Sequence, residues 1–126
     1  MTDPSYEVNN NLIQSAVLSS IATQCLMDSE RWFPGNLTQD VAFLALCMSG
    51  EAGEVNNKVK KVVRGSRTLD ESRKEIVEEV TDVFIYLMNL VHALGFDLYH
   101  EYMKKRVINE GRWGPAARAI PEQRNG

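Results

Sequence analysis

An all-α chain folded as a four-helix bundle is the class that this sequence predicts. Three observations carry the expectation. Apolar residues recur at helical spacing and do not alternate over the length of a strand. Punctuation is sparse, limited to Pro34-Gly35, Gly65, Gly95 and a Gly/Pro-rich stretch after Gly111. The connections between these marks are short, which makes consecutive helices antiparallel neighbours. The 126 residues suit one small domain. That domain is expected over 1–115, with an irregular C-terminal tail over 116–126.

The first helix is expected from about Tyr6 to Ser29. Val8, Leu12 and Ala16 trace one line, and Ile13, Val17, Ile21 and Cys25 trace a wider apolar face beside it. Trp32-Phe33-Pro34-Gly35 ends this pattern. The second helix is expected to open after Asn36 as N-cap, with Gln39 completing a capping box, and to run to about Arg64, where Gly65 stops it. Gly50 and Gly53 lie in its middle, each costing about 1 kcal/mol relative to Ala. That cost suggests a close approach to the backbone by a neighbouring helix or a ligand. The third helix opens at Thr68, with Glu71 as its capping-box partner and Asp70 as the alternative cap, and ends at Gly95. Asp97 then caps a fourth helix reaching about Asn109.

Composition removes several functional classes. Fourteen Lys and Arg face 17 Asp and Glu, a net charge of −3. With a pI near 5.4, this is not the basic surface that a nucleic-acid polymer requires. The longest apolar run, Val41 to Met48, is far below the roughly 20 residues needed to span a bilayer. No membrane partner is therefore expected. Met1-Thr2-Asp3-Pro4 shows no basic segment leading into an apolar run, so no signal peptide is expected. Cys25 and Cys47 fall within apolar helical pattern, which suits a reducing cytoplasmic location.

The informative feature is the placement of four acids. Glu51 follows Leu44 by seven residues and Cys47 by four, and Glu54 follows Glu51 by three. At about 3.6 residues per turn, both extend the apolar stripe of the second helix. On the third helix, Glu79 follows Ile76 by three, Asp82 follows Glu79 by three, and Tyr86 stands one turn further on. If the two helices are antiparallel neighbours, the four carboxylates can converge. Partly buried like charges need cations, and an all-oxygen set selects a hard ion such as Mg²⁺, with Mn²⁺ as a substitute, over zinc. The alternative is an ordinary solvated face, with Glu54 paired to Lys58 one turn away. Glu75 and Glu78 look like such a face, although Glu78 could act from behind a ligand. A di-iron bundle would need Glu-x-x-His on two helices, and neither His92 nor His100 completes one.

The run Gly50-Glu51-Ala52-Gly53-Glu54-Val55, followed by Glu78-Glu79-Val80-Thr81-Asp82-Val83-Phe84-Ile85-Tyr86-Leu87, resembles the MazG-type all-α nucleoside triphosphate pyrophosphohydrolases. Arg31-Trp32-Phe33-Pro34-Gly35-Asn36-Leu37 is similar to the single-domain branch that includes deoxycytidine triphosphate pyrophosphatases. Lys104 to Trp113 resembles the family's C-terminal phosphate-contacting pattern. The match covers about residues 31 to 115.

The resemblance implies a reaction in which a (d)NTP and water give a (d)NMP and pyrophosphate. It implies Glu51, Glu54, Glu79 and Asp82 as magnesium ligands, and Lys105, Asn109 and Arg112 as phosphate contacts. Trp32, Asn36 and Tyr86 match positions near the nucleoside, and Lys61, in a basic segment that resembles the MazG pattern, is a further expected substrate-binding residue. Glu51 is the expected catalytic carboxylate that orients or deprotonates water, although spacing does not separate it from Glu54. The resemblance also implies a homo-oligomer, a dimer or a dimer of dimers, with the apolar first and third helices supplying the interface. Two departures stand out. Gly50 occupies the place where the family often has a further Glu, and Lys58-Val59-Lys60-Lys61 lies where the deoxycytidine branch tends to have an aromatic residue. The base preference stays open. A non-catalytic nucleotide- or partner-binding helical bundle is the alternative reading.

Overall fold

The computed structural model describes residues 3–35 and 37–118. Among these residues the regular structure is all helical, without strands. The elements are α1 (Pro4–Trp32), a 3-10 turn (Leu37–Gln39), α2 (Val41–Val63), α3 (Leu69–Leu94), α4 (Leu98–Trp113) and the short α5 (Pro115–Arg118). They gather into two compact units. One is Ser19–Phe96, holding the second half of α1, the 3-10 turn, α2 and α3, and the other joins residues 3–18 to residues 97–118. No single helix among the described residues is long and apolar enough to cross a membrane.

In the Ser19–Phe96 unit, α2 and α3 pack along each other and the 3-10 turn packs on both. Their connection is short because α2 stops sharply. Gly65 takes φ +76°, a left-handed conformation that suits glycine, and its N–H donates to the Val62 carbonyl at 3.0 Å. Thr68 then caps α3 reciprocally. Its hydroxyl accepts from the Glu71 N–H at 3.2 Å, while the Glu71 carboxylate accepts from the Thr68 N–H at 2.7 Å. Thr68 prevails over Asp70 as the cap because only Thr68 has Glu at the third helical position.

The register is read from charge pairs. Arg67, just before α3, donates to both carboxylate oxygens of Glu75 at 3.1 Å, and Lys58 of α2 lies 3.4 Å from the same carboxylate. Lys58 therefore pairs across to α3, not back to Glu54. Leu44, Met88, Leu90, Val91 and Ala22 are buried apolar side chains of this unit. In the other unit, Asp97 caps α4 by accepting from the His100 N–H at 2.9 Å, and its second oxygen accepts from the Ser15 hydroxyl. Tyr99 Oη donates to Asn11 at 2.6 Å, a second tie between α1 and α4 there.

Several expected boundaries are corrected. α2 begins at Val41, not after Asn36, because Leu37–Gln39 forms a 3-10 turn. Asp40 then supplies the cap, accepting from the Phe43 N–H at 3.0 Å. Asn36 itself lies outside the described residues. α1 runs beyond both expected ends, with Asp3 accepting from the Ser5 N–H at 2.9 Å and Pro4 in the first helical position, where its missing N–H costs nothing. α4 passes Asn109 and ends at Trp113. There Gly114 lies so close to the Glu110 carbonyl that a Cβ could not fit. The part of the expected irregular tail that is described, up to Arg118, belongs to α5. Residues 119–126 lie outside the described residues. No described atom crowds the expected close approach at Gly50 or Gly53, since a Cβ there meets nothing within 4 Å.

Two outcomes test this account. Thr68→Ala is expected to lower unfolding free energy by about 1 kcal/mol in denaturant titration. Arg67, by hydrogen bond and then by charge, and Lys58 hold the Glu75 carboxyl below the usual carboxylate range. A carboxyl depressed in the fold stabilises it above the unfolded pKa and loses that contribution as pH falls through the lowered folded value. Denaturation midpoints across acidic pH are therefore expected to fall less steeply in Glu75→Gln than in the parent.

Candidate functional site

The antiparallel pairing of α2 and α3 brings three half-buried carboxylates together. Glu51 of α2 faces Glu79 and Asp82, which stand one turn apart on α3. Each offers an oxygen, and these oxygens all lie within 4.8 Å of one another. Their mutual effect is visible on Glu51. Burial first, then the Asp82 charge, a hydrogen bond with Glu79, and the charges of Glu79 and Glu54 push its carboxyl above the usual range. One turn beyond Asp82, burial pushes the Tyr86 hydroxyl up, and its neighbours Cys47, Glu51 and Asp82 add to the shift.

The cluster opens onto a cavity of about 390 Å³, with Glu51 and Asp82 in its wall. That volume falls within the range of small-molecule sites. Aromatic side chains line much of it, namely Trp32, Phe33, Phe43 and Tyr86. Trp32 remains 55% exposed, with the Arg31 guanidinium 5.9 Å from its ring centroid, so it is not a buried plug between helices. Three buried polar residues, Ser29, Thr38 and Asn89, also line it, with Leu37, Leu44 and Ile85.

The expected site residues divide into three sets. Glu51, Glu79, Asp82, Trp32 and Tyr86 are brought together at the cluster and cavity. Glu54 is exposed and contributes charge to Glu51 without joining the three converging oxygens, which corrects the expectation that it faces inward. The reason is angular, since α2 turns the Glu54 side chain away from α3 at a position where Glu51 still faces it. Lys61 is exposed, ten residues beyond Glu51 and so about 15 Å along the helix axis. It does not line the cavity.

Lys105, Asn109 and Arg112 are exposed on α4 in the other unit. Asn109 lines a hollow there with Arg106 and Arg118. His92 and His100 are exposed, Glu78 is exposed, and Cys25 and Cys47 are free, half-buried thiols. Ser29, Thr38 and Asn89 were not singled out by the sequence. The available signal was Asn89, a polar residue two turns after Asp82 on an otherwise apolar stripe.

The donor set fits a hard divalent cation. Among the described residues three carboxylates converge with no nitrogen or sulfur ligand, which is the chemistry of Mg²⁺ or Mn²⁺. A cation would also relieve the repulsion that raises Glu51.

No family model matches the chain, and no solved structure matches it. It is similar to the gene 37 protein of Mycobacterium phage L5, at 30% identity over 74 residues. That segment is 57% of this chain and 63% of the phage protein, so the match spans less than two thirds of its relative.

A carboxyl whose folded pKa is raised contributes stability below the unfolded value and loses it as pH rises through the folded one. At pH 7 an ionised Glu51 therefore opposes folding. In chelator-treated protein, Glu51→Gln is expected to melt above the parent at pH 7, with the difference closing as pH falls below the ordinary carboxylate value.

Proposed function

We propose that this chain is a divalent-cation-dependent nucleoside triphosphate pyrophosphohydrolase, converting a (d)NTP and water to a (d)NMP and pyrophosphate. One observation carries the reading: Glu51 and Asp82 belong both to a three-carboxylate cluster and to the wall of an aromatic-lined cavity. The cluster residues fall within the two acid motifs that resemble the MazG-type family. An aromatic-lined cavity beside a carboxylate set able to hold a cation is an arrangement suited to a nucleotide.

Glu51, Glu79 and Asp82 would hold the cation, with Glu54 adding negative charge from the rim. When bound, Mg²⁺ or Mn²⁺ offsets the acids, attracts the phosphate oxygens and stabilises charge that develops on them. Glu51 would orient or deprotonate the attacking water, a role supported by its position on α2, facing Glu79 and Asp82 across the cluster. Trp32 and Tyr86 offer ring faces to the base.

Lys105, Asn109 and Arg112 recur at four- and three-residue spacing along one stripe of α4, a pattern suited to phosphate oxygens. Lys61 and Asn36 retain only the roles that the family resemblance implies.

The same reading includes a homo-oligomer. Leu12, Ile13 and Val17 of α1 are exposed by 65%, 61% and 50%. Val77, Val80 and Leu94 of α3 are also at least half exposed. Such apolar faces on a protein of this size favour self-association, and neither a membrane nor a nucleic-acid polymer enters the proposal.

Two measurements test it. With Mg²⁺, the protein is expected to release pyrophosphate and not phosphate from a panel of common and modified (d)NTPs. Glu51→Gln and Asp82→Asn are expected to lose about 100-fold or more of that activity while keeping helical circular dichroism. Full activity in both variants would remove the site assignment. By sedimentation at micromolar concentration the parent is expected as a dimer or larger, and Leu12→Glu with Ile13→Glu as a smaller species.

A further inference from the structure

We infer that the hollow between α4 and α5 is a separate anion site, suited to a single phosphate group carried on a flat ring. The inference does not rest on the proposed reaction, and it concerns the unit that does not hold the carboxylate cluster.

The hollow has a volume of about 370 Å³, and two arginines, Arg106 of α4 and Arg118 of α5, stand in its wall. Its shape follows from the way α4 ends. The Gly114 N–H donates to the Glu110 carbonyl at 2.9 Å, and the Arg118 N–H donates to the Gly114 carbonyl at 3.3 Å. This turn carries Arg118 to Trp113, whose carbonyl accepts from the Arg118 Nε at 2.9 Å. That bond holds the guanidinium and leaves its two terminal nitrogens as donors. Neither Arg106 nor Arg118 pairs with a carboxylate among the described residues, although Glu110 lines the same hollow.

Two guanidiniums lining one hollow repel, and an anion between them removes that cost. Their forked donors match phosphate oxygens. Glu110 limits the charge that the hollow attracts. With two cations against one carboxylate, the lining favours a phosphomonoester over a longer, more highly charged phosphate chain. Trp113 and Tyr102 complete the chemistry. Both line the hollow, and they are 68% and 57% exposed, so each offers a ring face beside the arginines. Lys105 and Arg112, the cations given to substrate phosphates above, do not line it. They share another face of α4, with Arg106 turned about 100° from Lys105. Free nucleoside monophosphates and phosphorylated tyrosine side chains both carry the chemistry that the hollow fits.

The test uses full-length Trp32→Phe, in which Trp113 is the remaining tryptophan. A chelator is present, so that no divalent cation holds a nucleotide at the cluster. Trp113 fluorescence is followed during titration with phenyl phosphate, dAMP, phosphotyrosine, dATP and inorganic phosphate. Saturable change is expected with phenyl phosphate and with dAMP or phosphotyrosine, at least about fivefold tighter than with inorganic phosphate. The tighter of dAMP and phosphotyrosine identifies the source, and dATP is expected to bind no tighter than dAMP. Arg106→Gln and Arg118→Gln are each expected to weaken binding about tenfold. Both side chains are exposed, so the variants are expected to keep parental circular dichroism. Lys104→Gln removes a cation of α4 that does not line the hollow, and it is expected to bind like the parent. The absence of saturable change with all three ring phosphates overturns the inference. So does equal affinity for inorganic phosphate, tighter binding of dATP than of dAMP, or a loss in Lys104→Gln as large as in the other two. None of these outcomes bears on the pyrophosphohydrolase reading, which is tested with Mg²⁺ at Glu51 and Asp82.

Discussion

A slip of one residue between α2 and α3 would turn Glu51 about 100° away from Asp82, because each residue advances a helix by that angle. The candidate site therefore depends on the register of this one antiparallel pair. Moving seven residues along α2 from Glu51 to Lys58 moves the partner seven residues back along α3, from Asp82 to Glu75. The same charge pairs that fix Glu75 thus fix the acids two turns away. Arg67 holds both carboxylate oxygens of Glu75 with one guanidinium nitrogen, and its other terminal nitrogen donates to the Glu71 carbonyl at 3.1 Å, tying the connection to the first turns of α3. Gly65 and the Thr68–Glu71 box set where one helix ends and the next begins, so the register is determined before the acids meet.

What the register brings together does not favour folding. The three carboxylates repel, and Glu51 carries the consequence in its raised pKa. Asn89 leaves an amide oxygen unpaired, and Gly50 and Gly53 weaken α2 where no described side chain needs the space. Each departs from what a stability-driven sequence would choose. All but the glycines line the cluster or the cavity. Such local conflicts concentrate where a protein binds or reacts, and the rest of the unit must compensate for them. The compensation here is modest, a core around Leu44, Met88, Leu90 and Val91. The apolar side chains left exposed on α1 and α3 are consistent with further stability coming from association.

Helix existence was legible because it depends on local chemistry. Apolar spacing, the Thr68 box, the Asp97 cap and the glycine stops at Gly65 and Gly95 all act within a few residues. Where two local signals competed, sequence alone chose differently from the fold. Asn36 with Gln39 resembles a capping box, but the chain spends Leu37–Gln39 in a tight turn packed on α2 and α3, and Asp40 caps instead. Gly111 reads as a breaker in the sequence, whereas the backbone of α4 stops only at Gly114.

The acid pairs Glu51/Glu54 and Glu79/Asp82 were visible as polar residues at helical spacing on apolar stripes, a property of each helix by itself. Which of them converge was decided by the tertiary structure, because the angle at which α2 meets α3 leaves Glu54 outside while Glu51 enters. The cavity was decided there too. Ser29 and Asn89 are sixty residues apart in the chain, and only the packing of the end of α1 against α3 places them in one wall. Periodicity records which side of a helix is apolar, and it carries no information about the distance between two helices.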